Sequence, residues 1–480
     1  MHRNLPAFVK PAFAAFMFVV TTAVTAADPA LTIYRSDGDA LFENGSSPIA
    51  DGHAIVHEQR TLQLSGSRQT VVIDGLPAML DTEAIVIDLG SGGRVLAQRV
   101  LSAGDGGALA AHRGERVQVF NGDGKSIADG VLVTFDGATL GVRGGEGRIS
   151  YVREFTRIEF PDSSGLPGST LQLVVDGNAG ATASTLTYPT SGLGWRAAYS
   201  ALLQGDCNLH LDALASIANR SGRDFPAAKL KLIAGSPNFA KSGGGPRPMM
   251  MKSMAAPASA PEEMPQQSSL GDYRSYAIDG SLDLPDASVT QVPLYASRNV
   301  SCERRWLFEN GNSWFPEKPT LAPEGWQAGN APVQSQLKFV ASENLPSGNL
   351  RVLARDKDGR TELLGENRIA DIAKGRNVDI SLGVAFDLAA TRERTAFSID
   401  KPAREMNEGF RIAMTNTGEI ARTITVREHP NRWRGWSLLS SSEKPDKQTL
   451  DLLEFHVVVP ASGKATLDYV VRYAWTANDE

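Results

Sequence analysis

The 480-residue sequence has few of the side chains that build metal centres: it contains two cysteines and seven histidines. No Cys-x-x-Cys pair occurs, and structural zinc sites need clustered Cys and His ligands. We therefore predict neither a metal nor another cofactor. The two cysteines, Cys207 and Cys302, lie in strand-like stretches. They form a candidate disulfide, and the alternative is a pair of small buried side chains.

Positive charge is also not in excess. The net charge is −6 and the isoelectric point is near 5.8. A protein that binds the phosphate backbone needs a basic patch, so this balance predicts no nucleic-acid partner.

Catalytic motifs are missing from the sequence. It has no G-x-S-x-G elbow, P-loop or dinucleotide fingerprint, and His53 and His57 stand without an HExxH pattern. We therefore predict a protein that is not an enzyme and name no catalytic residue. The alternative is a carbohydrate-active or other hydrolase whose carboxylates follow no recognised motif.

Long hydrophobic runs are confined to the start of the chain. Residues 11–24 are apolar, basic residues precede them, and Thr-Ala-Ala ends at Ala27. This pattern predicts a cleaved signal peptide over residues 1–27, the alternative being a buried or membrane-anchoring N-terminal helix. No later stretch reaches the ~20 apolar residues of a transmembrane helix. We predict a periplasmic protein with no transmembrane span in the mature chain.

Short alternating segments separated by Gly, Asn and Asp turns predict an all-β fold. Residues 28–110 form a predicted small β-domain, and residues 111–162 carry five short strands typical of an SH3-like small barrel. Residues 170–475 predict β-sandwich-type structure. Residues 241–270 interrupt it with Pro, Gly, Ser and Met and without any aromatic side chain, which predicts a disordered linker.

Several motifs in the last region agree with a known family in their order. They read LTYPTSGLGWRAAYSALL, ASIANRSGRDFPAAKLKLIAGSP, LPSGNLRVLARDKDGRTELLGENRI and NVDISLGVAFDL. Together they resemble the bacterial domain of unknown function 4139 from Thr170 to Tyr473, with Phe225 where the family has Trp. The family includes proteins similar to mucoidy inhibitor A, whose coiled coil has no counterpart here. The resemblance implies an envelope-associated β-protein and supplies no catalytic residues.

Two segments are candidates for binding. In PNRWRGWS, Trp433 and Trp436 interleave with Arg432 and Arg434, which permits cation–π stacking. This segment is either a structural ladder or a surface for an anionic glycan or lipid. The run MMMKSM at residues 249–254 offers soft thioether ligands for Cu(I).

These features together predict an exported, non-catalytic, β-rich binding or scaffold protein of the bacterial cell envelope. Its expected partner is an envelope protein or a glycan. A hydrolase and a periplasmic copper-handling protein remain the alternatives.

Overall fold

A computed structural model describes residues 28–45, 47–101, 113–136, 138–160, 168–235, 237, 266–324 and 331–479. Over these residues the regular structure is almost entirely β-strand, which confirms the predicted all-β fold. Single turns of 3₁₀ helix occur at Asp39–Leu41, Gly90–Gly92 and Ala477–Asp479. The predicted signal peptide and the Met-rich run lie outside the described residues. No helix in the described part of the chain is long and apolar enough to cross a membrane.

The strands of the first half are β1 (Ala30–Tyr34), β2 (Ala54–Leu64), β3 (Gln69–Leu76), β4 (Val86–Asp88), β5 (Gly93–Leu101), β6 (Arg116–Phe120), β7 (Ser126–Phe135), β8 (Leu140–Arg143), β9 (Ile149–Val152), β10 (Arg157–Glu159), β11 (Ser169–Gly177), β12 (Gly180–Thr190), β13 (Leu193–Gln204), β14 (Asn208–Asn219) and β15 (Phe225–Ala234). Those of the second half are β16 (Gln266–Leu270), β17 (Tyr273–Ala277), β18 (Leu282–Leu284), β19 (Ser288–Asn310), β20 (Gln334–Val340), β21 (Gly348–Arg355), β22 (Thr361–Ile369), β23 (Asn377–Val384), β24 (Leu388–Asp400), β25 (Glu405–Asn416), β26 (Arg422–Glu428), β27 (Trp436–Ser441), β28 (Lys447–Gln448), β29 (Leu453–Val459) and β30 (Gly463–Ala474).

The chain divides into two compact units. Unit 1 comprises residues 1–196 and 215–294, and unit 2 comprises residues 197–214 and 295–480. The division falls within β13, β14 and β19, so each of these strands contributes residues to both units.

Unit 1 contains a large mixed sheet with the order β16-β17-β15-β1-β2-β12-β4, in which β18 also pairs with β15. The pairing of β1 with β15 is parallel, and that of β1 with β2 is antiparallel. A three-stranded sheet, β3-β11-β5, belongs to the same unit. Side chains that alternate along β1 and β2, such as Leu31, Ile33 and Val56, are fully buried and form part of the core.

The segment SGLGW shows how β12 turns into β13. Gly192 has a φ of +83°, and a Cβ there would lie 2.6 Å from the carbonyl oxygen of Arg220. Only glycine fits this turn without strain. Trp195 follows with no exposed surface, and its indole nitrogen donates to the carbonyl oxygen of Ile233 at 3.0 Å. Trp195 and Tyr199, the aromatic residues of β13, are therefore both part of the core.

The five strands predicted between residues 111 and 162 are β6 to β10. They form an antiparallel sheet of order β10-β6-β7-β8-β9, in which the last strand pairs with the first, as in a small SH3-like barrel. Its own core consists of Val117, Val119, Leu132, Leu140 and Val142.

The predicted disordered linker, residues 241–270, lies largely outside the described residues. Its last five residues are an exception, because they form β16 and pair with β17. This strand is polar, and Ser268 Oγ lies 2.8 Å from Ser275 Oγ. Strand β16 could not be predicted from the composition, because a strand at a sheet edge pairs through its backbone and needs few apolar side chains.

Unit 2 is a sandwich of two sheets. Residues of β13, β14 and β19 join the first, ordered β22-β21-β13-β14-β19-β26-β29-β28, with β20 pairing with both β19 and β23. The second sheet is β24-β25-β30-β27. The core is built by apolar side chains from both sheets, such as Ile424 and Phe455 from the first and Ile412 and Leu467 from the second.

Cys207 and Cys302 form a disulfide within unit 2, with their Cα atoms 5.0 Å apart. It closes a long loop, since 95 positions separate the two residues. Such a crosslink stabilises mainly by restricting the unfolded chain.

Candidate functional site

In three strands of unit 2, a charged residue occupies a position on the inward face, where the alternation along the strand predicts an apolar side chain. In β24, Arg392 continues the inward series of Leu388 and Ala390. In β26, Glu428 continues the series of Ile424 and Val426. Because alternate strand residues share one face, these charges point into the sandwich rather than into solvent. Glu408 occupies the equivalent inward phase of β25.

Glu428 is the centre of a buried cluster. Its Oε2 accepts hydrogen bonds from Arg392 Nε at 2.8 Å and from the Tyr469 hydroxyl at 2.6 Å. The Arg392 guanidinium also lies 3.5 Å from the centre of the Phe410 ring. Glu428 is 1% exposed, and within the described residues its Oε1 has no hydrogen-bond partner. Burial raises the pKa of Glu428 and outweighs the opposing effects of Arg392 and Tyr469.

A second buried pair joins Glu408 and Arg432. Arg432 Nε donates to Glu408 Oε2 at 2.9 Å, and Arg394 approaches Glu408 Oε1 at 3.5 Å. Arg432 Nη1 donates to the carbonyl oxygens of Thr320 and Ala322 at 3.2 and 2.7 Å. Arg432 Nη2 is buried and lacks a partner within the described residues. This pair therefore also leaves one polar atom unsatisfied.

Both clusters border one cavity of about 300 Å³ in unit 2. Glu428 and Arg432 form part of its lining, and so does Trp314, which is 60% exposed. Exposed amide side chains of Asn312 and Asn431 belong to the same lining. The other lining residues are Asn310, Gly311, Thr320, Arg392, Glu408, Phe410, His429, Pro430, Tyr469, Val471 and Tyr473.

This arrangement combines an exposed aromatic ring with buried groups of both signs. An unsatisfied buried polar group costs about 1–3 kcal/mol, and Glu428 Oε1 and Arg432 Nη2 both belong to residues that line this cavity. Pockets of this size with a few convergent polar groups are the usual sites for small ligands. The cavity suits a ligand that offers both donors and acceptors.

Unit 1 holds a comparable cluster around Glu58, on β2. Its Oε2 accepts from Arg60 Nε at 2.8 Å, and its Oε1 accepts from the Tyr188 hydroxyl at 2.8 Å and from Arg223 Nη1 at 2.5 Å. Burial opposes ionisation of Glu58, but Arg223, Arg60 and Tyr188 together outweigh it, so the pKa of Glu58 is lowered. Both oxygens of this carboxylate are satisfied.

The segment PNRWRGWS does not form the exposed platform considered for it. Arg432 and Trp433 are 5% and 2% exposed, because Arg432 pairs with Glu408 and Trp433 belongs to the core of unit 2. Arg434 is exposed and stacks on Trp433, with 4.5 Å between guanidinium and ring centre. Trp436 is half-buried and its indole donates to the Leu450 carbonyl oxygen. The segment is therefore better described as a structural ladder than as a surface site. Arg432 nevertheless forms part of the cavity lining.

The copper hypothesis rests on residues 249–254, which lie outside the described part of the chain. Among the described residues, no group of three or more His, Cys, Asp or Glu side chains is placed to hold a metal ion.

Sequence reasoning missed Glu428, Arg392 and Trp314. A signal for the first two was present: each is a charged residue in the apolar phase of a strand, as Leu-x-Ala-x-Arg and Ile-x-Val-x-Glu. Such a residue must be paired inside the fold, and buried charges concentrate at functional sites. Trp314 carries no comparable signal, because it follows a turn-rich stretch.

No family model matches this chain, and no curated protein matches it either. The resemblance to the domain of unknown function 4139 therefore stays a prediction, and the case for function rests on the geometry of the site.

Proposed function

We propose that the chain is an exported binding protein of the bacterial cell envelope that holds a glycan residue in the cavity of unit 2. One observation carries this proposal. Glu428 and Arg432 each have a buried polar atom without a partner in the described part of the chain, and both line the same cavity as the exposed ring of Trp314. The envelope location rests on the signal-peptide pattern of residues 1–27.

A sugar matches the chemistry of this cavity. Each of its hydroxyls both donates and accepts, so a sugar can pair with polar groups of either kind along the lining. Its C–H face packs on an aromatic ring, as Trp314 offers, and the amides of Asn312 and Asn431 supply further donors and acceptors. At about 300 Å³ the cavity lies at the lower end of known ligand pockets, which favours a single sugar unit.

Hydrolysis of a glycan is the second candidate, because two carboxylates line the same cavity. Burial raises the pKa of Glu428, which favours its protonated form, whereas Glu408 is held in an ion pair by Arg432. A glycosidase uses two carboxyl groups, one as the acid and the other as the base or nucleophile. Binding is the preferred function, because hydrolysis would also require the glycosidic oxygen to reach the carboxyl group of Glu428, which is only 1% exposed.

A glycan array that includes bacterial cell-wall and capsule sugars tests the proposal. The purified mature chain should bind a small set of related glycans, and Trp314→Ala should weaken that binding at least tenfold, or about 1.4 kcal/mol. Tyr151→Ala is the matched control, since Tyr151 is an exposed aromatic residue of unit 1. Binding that Trp314→Ala leaves unchanged would rule out the cavity.

The glycans that bind on the array also distinguish a binding protein from a hydrolase. Each is incubated with the wild-type chain and with Glu428→Gln, and the products are followed by mass spectrometry. Intact glycan in both samples supports a binding protein. Cleavage by the wild-type chain that Glu428→Gln abolishes would establish the hydrolase instead.

A further inference from the structure

A second candidate site in unit 2 lies away from the glutamate clusters, around Trp306 on β19. Arg304 and Arg422 both place their guanidinium groups over its ring, 5.8 and 4.4 Å from the centre. Neither guanidinium has an ion-pair or hydrogen-bond partner among the described residues. Burial and the like charge of Arg422 lower the pKa of Arg304. Two positive charges are therefore held together without a compensating carboxylate.

The same groove carries apolar side chains that the fold leaves open to solvent. Phe386 is fully exposed, and Val384 and Ile420 are 60% and 61% exposed. A soluble surface seldom groups such residues unless a partner covers them. The groove measures about 630 Å³ and also includes Asp387 and Glu419.

We infer that this groove binds a peptide segment of another protein in which an acidic residue lies close to an apolar one. The acidic side chain would pair with Arg304 and Arg422, whose forked guanidinium groups suit a carboxylate. The apolar side chain would cover Phe386 and Ile420. Asp387 and Glu419 offer positions for a basic residue of the same segment.

The lining favours a peptide over a lipid chain. Ser335 and Glu419 contribute polar groups between the apolar ones, and a peptide can supply amide donors to them. An acyl chain has no such groups and would bury the carboxylate of Glu419 unpaired.

Selection from a random heptapeptide phage library on the immobilised mature chain tests this inference. We expect enriched peptides with an acidic residue next to an apolar one, and synthetic copies should bind in solution. The double variant Arg304→Gln/Arg422→Gln should weaken binding at least tenfold, and Phe386→Ser about fivefold. The matched controls Arg360→Gln and Leu439→Ser change exposed residues outside the groove and should bind normally.

Three outcomes would overturn the inference: no enrichment, enriched peptides without acidic residues, or equal binding by the double variant. Vesicles of phosphatidylglycerol provide a further arm. Cosedimentation with them that depends on Phe386, in the absence of peptide binding, would assign the groove to a membrane surface instead. None of these variants alters the cavity at Glu428, so failure here leaves the glycan proposal standing.

Discussion

Glu58 in unit 1 and Glu428 in unit 2 are both buried carboxyl groups, and they differ in how completely they are paired. Each is a glutamate in the apolar phase of a strand, and each accepts from an arginine and from a tyrosine hydroxyl. Glu58 has two arginines, and both of its oxygens are satisfied. Glu428 has one arginine and an unpartnered Oε1 among the described residues.

Because of this difference in pairing, we interpret the Glu58 cluster as structural and the Glu428 cluster as part of a binding site. Enough positive charge surrounds Glu58 to overcome burial, so the carboxylate is a fixed part of the fold. Around Glu428 burial prevails, and the unsatisfied oxygen belongs to a residue that lines a cavity. A buried polar group without its full complement of partners is costly, so its persistence at Glu428 points to function there.

The largest expected effect is on stability. Glu58→Gln should lower the free energy of unfolding of unit 1 by about 3–5 kcal/mol, because it leaves two buried arginines without their counter-charge. Glu428→Gln should lower that of unit 2 by less, about 1–2 kcal/mol, because burial already disfavours the charged form of Glu428 and only one of its oxygens is hydrogen-bonded among the described residues. Native-state hydrogen exchange of peptides from β2 and β26 measures the two units separately. Equal losses in both would remove the distinction between the clusters.

The pH dependence should have opposite signs at the two glutamates. The pKa of Glu58 lies below its ordinary 4.5 in the folded chain, so its stabilisation is present above that pH and is lost as the pH falls through the folded value. The pKa of Glu428 lies above 4.5, so its contribution is greatest below that pH and declines as the pH rises through the folded value.

The change in stability with pH therefore tests the contrast in each unit. The difference between wild type and Glu58→Gln should shrink on acidification, and that between wild type and Glu428→Gln should shrink on raising the pH. Each slope can reach at most about 1.4 kcal/mol per pH unit. Urea unfolding of both pairs from pH 3 to pH 8 measures this, and slopes of the same sign would contradict the account.

The smallest effect is expected from the tyrosines. Tyr188→Phe leaves Glu58 with both arginines and should cost about 1 kcal/mol. Tyr469→Phe leaves Glu428 with Arg392 alone, so it should also raise the pKa of Glu428 further. Carbon-13 NMR titration of the glutamate carboxyl groups in each variant measures this. An unchanged Glu428 titration in Tyr469→Phe would mean that its hydroxyl contributes little.

The all-β class of the fold could be predicted from the sequence. Alternation along β2 and β25 and the Gly turns predicted strands, and the packing agrees. The end of the linker was missed because β16 is polar, and strand pairing through the backbone leaves little trace in composition.

The site was less predictable for a physical reason. Alternation places Arg392 and Glu428 inside the sandwich, but it does not show that two strands far apart in sequence bring them within 2.8 Å. The same limit applies to Arg432, for which the sequence left a structural ladder and a surface site open. Its neighbours in sequence suggest a ladder, whereas its partner Glu408 lies on another strand.

The most direct test of the account is the affinity of the best array glycan for Glu428→Gln and for Tyr188→Phe, measured by isothermal titration calorimetry at pH 7. Glu428→Gln replaces one carboxyl oxygen by an NH2 group, and Tyr188→Phe removes a hydroxyl from the Glu58 cluster. Of these two clusters, only the one around Glu428 borders the cavity in unit 2. We expect the Kd to be at least tenfold higher for Glu428→Gln and to equal that of the wild type for Tyr188→Phe. A wild-type Kd for Glu428→Gln would contradict it.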